Sequence, residues 1–255
     1  DSVAFAPVSF TYRIMNALHV RTQPSFLRSE LLVKEGDCYD DFLVSESERL
    51  LNAYRFMEWA EIHDTEDEEG NRSLLVNTRD AWSTTLGLGV TYDRGLNVES
   101  FGITERNFLG YGLSASFQHQ EFWELSAQSF QLATPRLFGR TDASIQFGRD
   151  RPGNFFNQYL RYPFLGDTGR YAARQGYGRG NWYFAYATPI GDGRTQILVP
   201  TFREGIELSG AQRFGDRGQS LIVGMTLSYG LARFEAPLGV IDGDIAGADP
   251  IPDDQ

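Results

Sequence analysis

Residues 85–112 read TLGLGVTYDRGLNVESFGITERNFLGYG, a run in which apolar and small or polar residues trade places almost one for one. Successive side chains of a strand point to opposite faces, so alternation of this kind reads as strand. Leu86, Leu88, Val90 and Tyr92 fall on one face, with Gly87, Gly89 and Thr91 on the other. The run stops at a tight turn around Asn107, Phe108, Gly110 and Gly112, where glycine permits backbone angles denied to other residues.

The same texture continues downstream. GLSASFQHQ, SAQSFQLATP, TDASIQFGR, NWYFAYATP, TQILVPTF, GIELSGAQRF and SLIVGMTLSYGLARF are separated by Gly, Asn, Asp and Pro, and helical periodicity is nearly absent. In the last of them Leu221, Val223, Met225, Leu227, Tyr229 and Leu231 alternate with Ser220, Gly224, Thr226, Ser228 and Gly230, with Ile222 the exception. Two structures satisfy one apolar and one polar face. A soluble antiparallel sandwich buries the apolar face; an outer-membrane barrel turns it to lipid and lines its lumen with small and polar residues. Three features favour the barrel. The segments run about nine to eleven residues, a membrane-crossing length for a tilted strand. Aromatics gather toward segment ends, as in EFW (121–123), GNFF (153–156), YPF (162–164) and GNWYF (180–184), like interfacial girdles. Arginine persists while lysine is absent, although Lys34 is the only lysine in the chain.

Upstream of Asp80 the texture differs. VRTQPSFLRSELLVKEGD (20–37) places Val20, Phe26, Leu27, Leu31 and Leu32 near helical spacing, with Pro24 in a first turn and Gly36 as a stop. SESERLLNAYRFMEWAEI (45–62) predicts a second helix opened by a Ser45–Glu48 capping box, with Leu50, Leu51, Tyr54 and Met57 on one side. SFTYRIM (9–15) reads as a strand, and AEIHDT with SLLVNTRD as a hairpin across the acidic tip EDEEGN. Strand, helix, helix, strand, strand is a small α+β module over residues 1–80, followed over 81–255 by an all-β antiparallel region.

Composition sets outer bounds. With 41% hydrophobic and 14% aromatic residues in 255, the chain is not disordered. A net charge of −11 and no Lys/Arg cluster argue against a general nucleic-acid role. The lone Cys38 excludes an intramolecular disulfide and a Cys-rich zinc site, and reads as a small, partly buried apolar residue.

The stretch 16–62 resembles a POTRA module, the periplasmic domain that precedes the barrel in the BamA/TamA-like outer-membrane assembly and translocation superfamily. The resemblance rests on Arg28 to Leu32, Glu35-Gly36-Asp37 and Ser47-Glu48-Arg49-Leu50. VNTRDAWST (76–84), GLGVTYDRG and TERNFLGYGLSASF (104–117) resemble the beginning of that family's barrel, known as the bacterial surface antigen barrel. It implies a POTRA-like module feeding a transmembrane β-barrel in the outer membrane of a Gram-negative bacterium. The implied role is insertion or translocation of unfolded client polypeptides, with outer-membrane lipid and periplasmic or lipoprotein partners. Clients would add as strands to an edge at Ser9–Met15 or Leu74–Thr78, with Leu74 and Val76 as contacts. Leu86 and Val90 would meet them at the first barrel strand, a gate weakened by Gly87 and Gly89. The chain departs from the pattern in having one POTRA, room for nine or ten strands against the usual sixteen, no Val-Arg-Gly-Phe signature, and an acidic tail, DGDIAGADPIPDDQ. The corresponding expectation is a barrel truncated within a longer chain. The alternative is a structural or surface-antigen barrel with a periplasmic binding module.

Neither a catalytic constellation nor a cofactor or metal motif stands out, and no enzyme activity is expected. His19, His63 and His119 are the only histidines, without HExxH, CxxC or GxSxG. His119 with Ser116 or Ser126 is the one sketch of a hydrolase pair, and it reads better as a strand-end histidine. Asp242, Asp244 and Asp249 do not match a calcium loop.

Overall fold

The computed structural model describes residues 20–92, 95–122, 125–150, 152–166, 169–187, 195–216, 218–241 and 249–250. The chain divides into two compact units, residues 1–86 with 103–115, and residues 87–102 with 116–255.

In the first unit, helix α1 (Pro24–Glu30) begins on a proline, whose missing N–H costs nothing in a first turn. It ends earlier than the spacing predicts. Leu31 is already extended at φ −64, ψ 138, and Gly36 belongs to a separate turn in which Asp37 accepts from the Lys34 N–H at 2.9 Å. Helix α2 (Asp41–Asn52) also starts upstream of the expected point. The Asp40 carboxylate accepts from the backbone N–H groups of Phe42 and Leu43, at 2.9 and 3.4 Å. An acidic cap placed there satisfies the first orphan donors and complements the helix dipole, so Ser45 and Glu48 become interior positions. Glu48 is used otherwise, accepting from the Ile62 N–H at 2.9 Å. Buried Ser47 donates to the Leu43 carbonyl and accepts from the Leu32 N–H, tying α2 to the extended segment that follows α1. Cys38, expected partly buried, is exposed, because it lies in the loop ahead of α2.

Strands β1 (Met57–Glu66) and β2 (Arg72–Asp80) form the expected antiparallel hairpin, in register from Trp59 opposite Arg79 to Glu66 opposite Arg72. Its tip is fastened by Asp67, which accepts from the Glu69 and Asn71 N–H groups. Asn52 grips β1 by donating to the Ala60 carbonyl at 2.8 Å and accepting its N–H at 2.9 Å. Phe26, Leu51, Phe56, Met57 and Ala60 form the core, with Tyr54, Ile62 and Val76 packed around it. The predicted strand Ser9–Met15 lies outside the described residues.

Among the described residues the remaining strands make one sheet of eleven. They are β3 (Thr84–Tyr92), β4 (Leu96–Phe108), β5 (Leu113–Phe122), β6 (Leu125–Phe138), β7 (Thr141–Asp150) and β8 (Gly153–Tyr162). Then come β9 (Tyr171–Ala187), β10 (Thr195–Asp216), β11 (Gln219–Phe234), β12 (Leu238–Ile241) and β13 (Asp249–Pro250). From β3 to β10 each strand lies beside its sequence neighbour, and the ladders from β6 to β11 are antiparallel. β10 holds β9 along one edge; along the other it holds β12 at Thr195–Leu198 and β11 at Thr201–Asp216. Pro200 sits where that edge changes partner, the place where a missing donor breaks no ladder. The two segments predicted on either side of it are therefore one strand. β8 was not among the predicted segments, and β9 begins ten residues before the predicted NWYFAYATP. Among the described residues β3 and β11 do not pair, so the sheet does not close into a barrel. No described helix is long and apolar enough to cross a membrane.

The register separates two faces. On β11, Leu221, Val223, Met225, Leu227 and Tyr229 stand opposite Phe214, Gln212, Gly210, Leu208 and Ile206 of β10. On the same face of β5, β6 and β7, Phe117, Phe130 and Phe147 form a row with ring centroids 4.7 and 5.6 Å apart. Phe156 and Tyr177 extend it at 6.2 Å. Most of this face is uncovered: Leu88 is 67% exposed and Met225 67%. A sandwich core would have buried it. The face is not uniform, because Gln158 and Gln175 are hydrogen-bonded on it, as are Tyr177 and Glu204.

Candidate functional site

Of the residues singled out in the sequence, those of the 104–112 turn come together most tightly. Asn107 and Phe108 are the last residues of β4, and Leu109–Gly112 make the turn. Leu109, Gly110 and Gly112 have φ of 60, 79 and 65, the left-handed region that glycine tolerates and a β-carbon resists. An added Cβ on Gly110 would collide with the Arg21 carbonyl, and one on Gly112 would lie 2.8 Å from the Phe26 ring. Both glycines are thus required twice, for the backbone angle and for close approach.

Asn107 is fully buried and its amide is used at both ends. Its Nδ2 donates to Thr22 Oγ1 at 2.9 Å, and its Oδ1 accepts from the Gly112 N–H at 2.8 Å. Thr22 passes the connection on, donating through its N–H and hydroxyl to the Asp80 carboxylate at 3.0 and 2.5 Å. The Gln23 N–H donates to the Gly110 carbonyl at 2.9 Å. Below the turn, the Arg106 N–H donates to the Ser83 carbonyl, and Thr84 and Thr85 bond Glu105 and Arg106. The turn is a polar joint, closed over Thr22 and Asp80. Phe108, Leu109 and Tyr111 remain exposed around it. The sequence showed the turn but not its partners.

The expected client-contact residues lie apart from this joint. Leu86 and Val90 stand on one face of β3, 69% and 50% exposed. β3 pairs only with β4 among the described residues, so its other edge offers unpaired backbone groups. Leu74 and Val76 are half-buried on β2, whose described partner is β1; Val76 packs against the core of the first unit.

The described histidines are elsewhere. His119 Nε2 is 3.6 Å from Glu121, and His63 Nε2 is 3.4 Å from Glu61. Among the described residues no three His, Cys, Asp or Glu side chains gather as metal ligands. His19, Asp242 and Asp244 lie outside the described residues.

Neither a protein-family model nor a curated protein matches the sequence. Among solved structures, the chain is similar to "The crystal structure of BamA from Haemophilus ducreyi lacking POTRA domains 1-3". The TM-score is 0.47 at 12% identity, covering 82% of this chain and 53% of that one. The chain thus spans about half the length of that structure.

Proposed function

We propose that this chain works in the outer membrane of a Gram-negative bacterium as a factor that inserts or translocates other outer-membrane polypeptides. In this reading residues 1–80 form a periplasmic POTRA-like module and the strands from β3 onward belong to a transmembrane barrel. The observation that carries it is the uncovered apolar face, which runs from Leu86 and Leu88 on β3 to Met225 and Leu227 on β11. Lipid is the environment in which such a face lies at no cost in hydration.

The mechanism uses backbone chemistry. An extended client segment pairs with the outer edge of β3, satisfying donors and acceptors that the sheet leaves open. Leu86 and Val90 then sit beside the client's alternate side chains. The β2 edge at Leu74–Thr78 offers the module a second place for the same pairing. Photocrosslinkers at Leu86 and Val90 test the idea during assembly of a labelled outer-membrane polypeptide. Capture of the client at these positions, and not at Ile145 on β7, whose two edges are both paired, is the expected result. No capture at either position rejects strand addition at β3 and favours a passive structural barrel.

A further inference from the structure

The face opposite the apolar one carries a row of polar side chains that the insertion role does not use. Reading across strands, Asp142 on β7 stands opposite Arg161 on β8, which stands opposite Arg174 on β9. Arg174 stands opposite Ser209 on β10, and Ser209 opposite Thr226 on β11. Two arginines directly opposed on one face repel each other, an arrangement that costs stability unless negative charge lies between or beside them. Each already has a carboxylate beside it: Arg161 donates from Nε and Nη2 to Asp142 Oδ2 at 2.9 and 2.5 Å, and Arg174 Nη2 is 3.4 Å from Glu207.

Beside the arginine pair is a cavity of about 380 Å³, of a size that holds small molecules. Arg161, Arg174, Ser209 and Thr226 line it along the polar row, and Pro163 and Phe164 from the loop after β8 supply apolar surface. That loop is held in place by Arg213, whose Nη1 donates to the Gly166 carbonyl at 2.7 Å and whose guanidinium lies 4.6 Å from the Phe164 ring centroid. Arg213 adds a third cation on this side. The cavity is therefore mainly apolar, with two carboxylate-paired guanidinium groups along it and two hydroxyls, of which Thr226 donates to Ser209 at 3.0 Å.

We propose that this cavity binds a small amphipathic anion, its phosphate or carboxylate oxygens bridging Arg161 and Arg174 and its apolar body against Pro163 and Phe164. Guanidinium forks match the paired oxygens of such groups, and a bridging anion removes the repulsion between the arginines. The proposal does not rest on the insertion role, since the arginine row that it uses lies on the face opposite the apolar one.

The test uses the full chain in a neutral detergent, titrated calorimetrically with phenyl phosphate, benzoate and phenol. Saturable binding of an anion, with phenol not bound, is expected; phenyl phosphate preferred over benzoate points to a phosphate ligand, and the reverse to a carboxylate. Arg174→Gln should weaken binding on the order of tenfold, the effect of losing one charge-assisted fork. Arg161→Lys, which keeps charge and loses the fork, should weaken it less. Arg203→Gln, on the same face but outside the cavity lining, should leave affinity unchanged. The proposal is overturned if no anion binds saturably, if Arg174→Gln and Arg161→Lys bind like the parent, or if Arg203→Gln loses as much as Arg174→Gln.

Discussion

Leu51 and Leu227 are the same residue in opposite circumstances: the first is 0% exposed in the core of the α+β unit, the second 58% exposed on β11. Around Leu51, side chains from α1, α2, β1 and the loop between them converge, with Phe26 and Tyr54 edge to face at 5.4 Å. Around Leu227 apolar neighbours extend sideways along the sheet and nothing lies above them among the described residues. The difference teaches that apolar content alone does not define a core. A helix with one apolar stripe must find protein to cover it, whereas a long alternating strand can leave its face to a different solvent.

The largest test of this contrast is truncation. Leu51→Ala should destabilise the first unit by about 2–5 kcal/mol through lost transfer energy and a cavity, while Leu227→Ala, with no cavity to leave, should cost well under that. Native-state hydrogen exchange of β1 and β11 in the full chain reads both. Equal costs would mean that the β11 face is packed as tightly as a core. Next in size is a charge on each face of β11. In a bilayer, Leu227→Arg should cost about 2–4 kcal/mol if it meets lipid near the midplane, and Ser228→Arg, beside Glu207 on the polar face, close to nothing. Reversible unfolding from vesicles into urea measures the pair, and indistinguishable values would break the assignment of faces.

The smallest effect belongs to an ion pair within helix α2, between exposed Arg49 and buried Glu46. The Arg49 guanidinium, 2.5 Å from Glu46 by hydrogen bonding, holds the Glu46 carboxyl below its ordinary range. A lowered folded value means that the stability it brings is present above the unfolded carboxylate range, near pH 4.3, and fades as pH falls through the folded value. Arg49→Gln should remove about 0.3–0.5 kcal/mol at neutral pH and flatten the pH dependence below about pH 5. Denaturation midpoints at pH 7 and pH 3 for both proteins show whether the slope changes.

Legibility in the sequence followed the strictness of alternation. β3 and β11 could be bounded to within a residue because their faces differ at nearly every pair of positions, Ile222 apart. β8, GNFFNQYLRY, has aromatic or aliphatic residues on both faces, so a period of two leaves no mark. Pro200 divided β10 on paper, because only the sheet reveals that its missing donor faces a change of partner. The glycines of 110 and 112 announced a turn through backbone chemistry alone. Its partners were hidden, since Thr22 bonds Asp80 across 58 residues and Asn107 bonds Thr22 across 85. Local sequence carries no signal at such separations. The caps were misjudged for a simpler reason: Ser45 and Asp40 both fit an N-terminus, and the carboxylate upstream claimed the first N–H groups.

The buried amide of Asn107 has one more effect, on counting. Strands rich in glycine and small residues hold their alignment weakly, and a slip of one position turns every side chain to the opposite face. Sliding β4 by one residue would bring Arg106 or Phe108 to Thr22, and neither can both donate to its hydroxyl and accept from the Gly112 N–H. The joint therefore works as a zero mark. With Thr22 held on Asp80, the end of β4 has a single alignment against it.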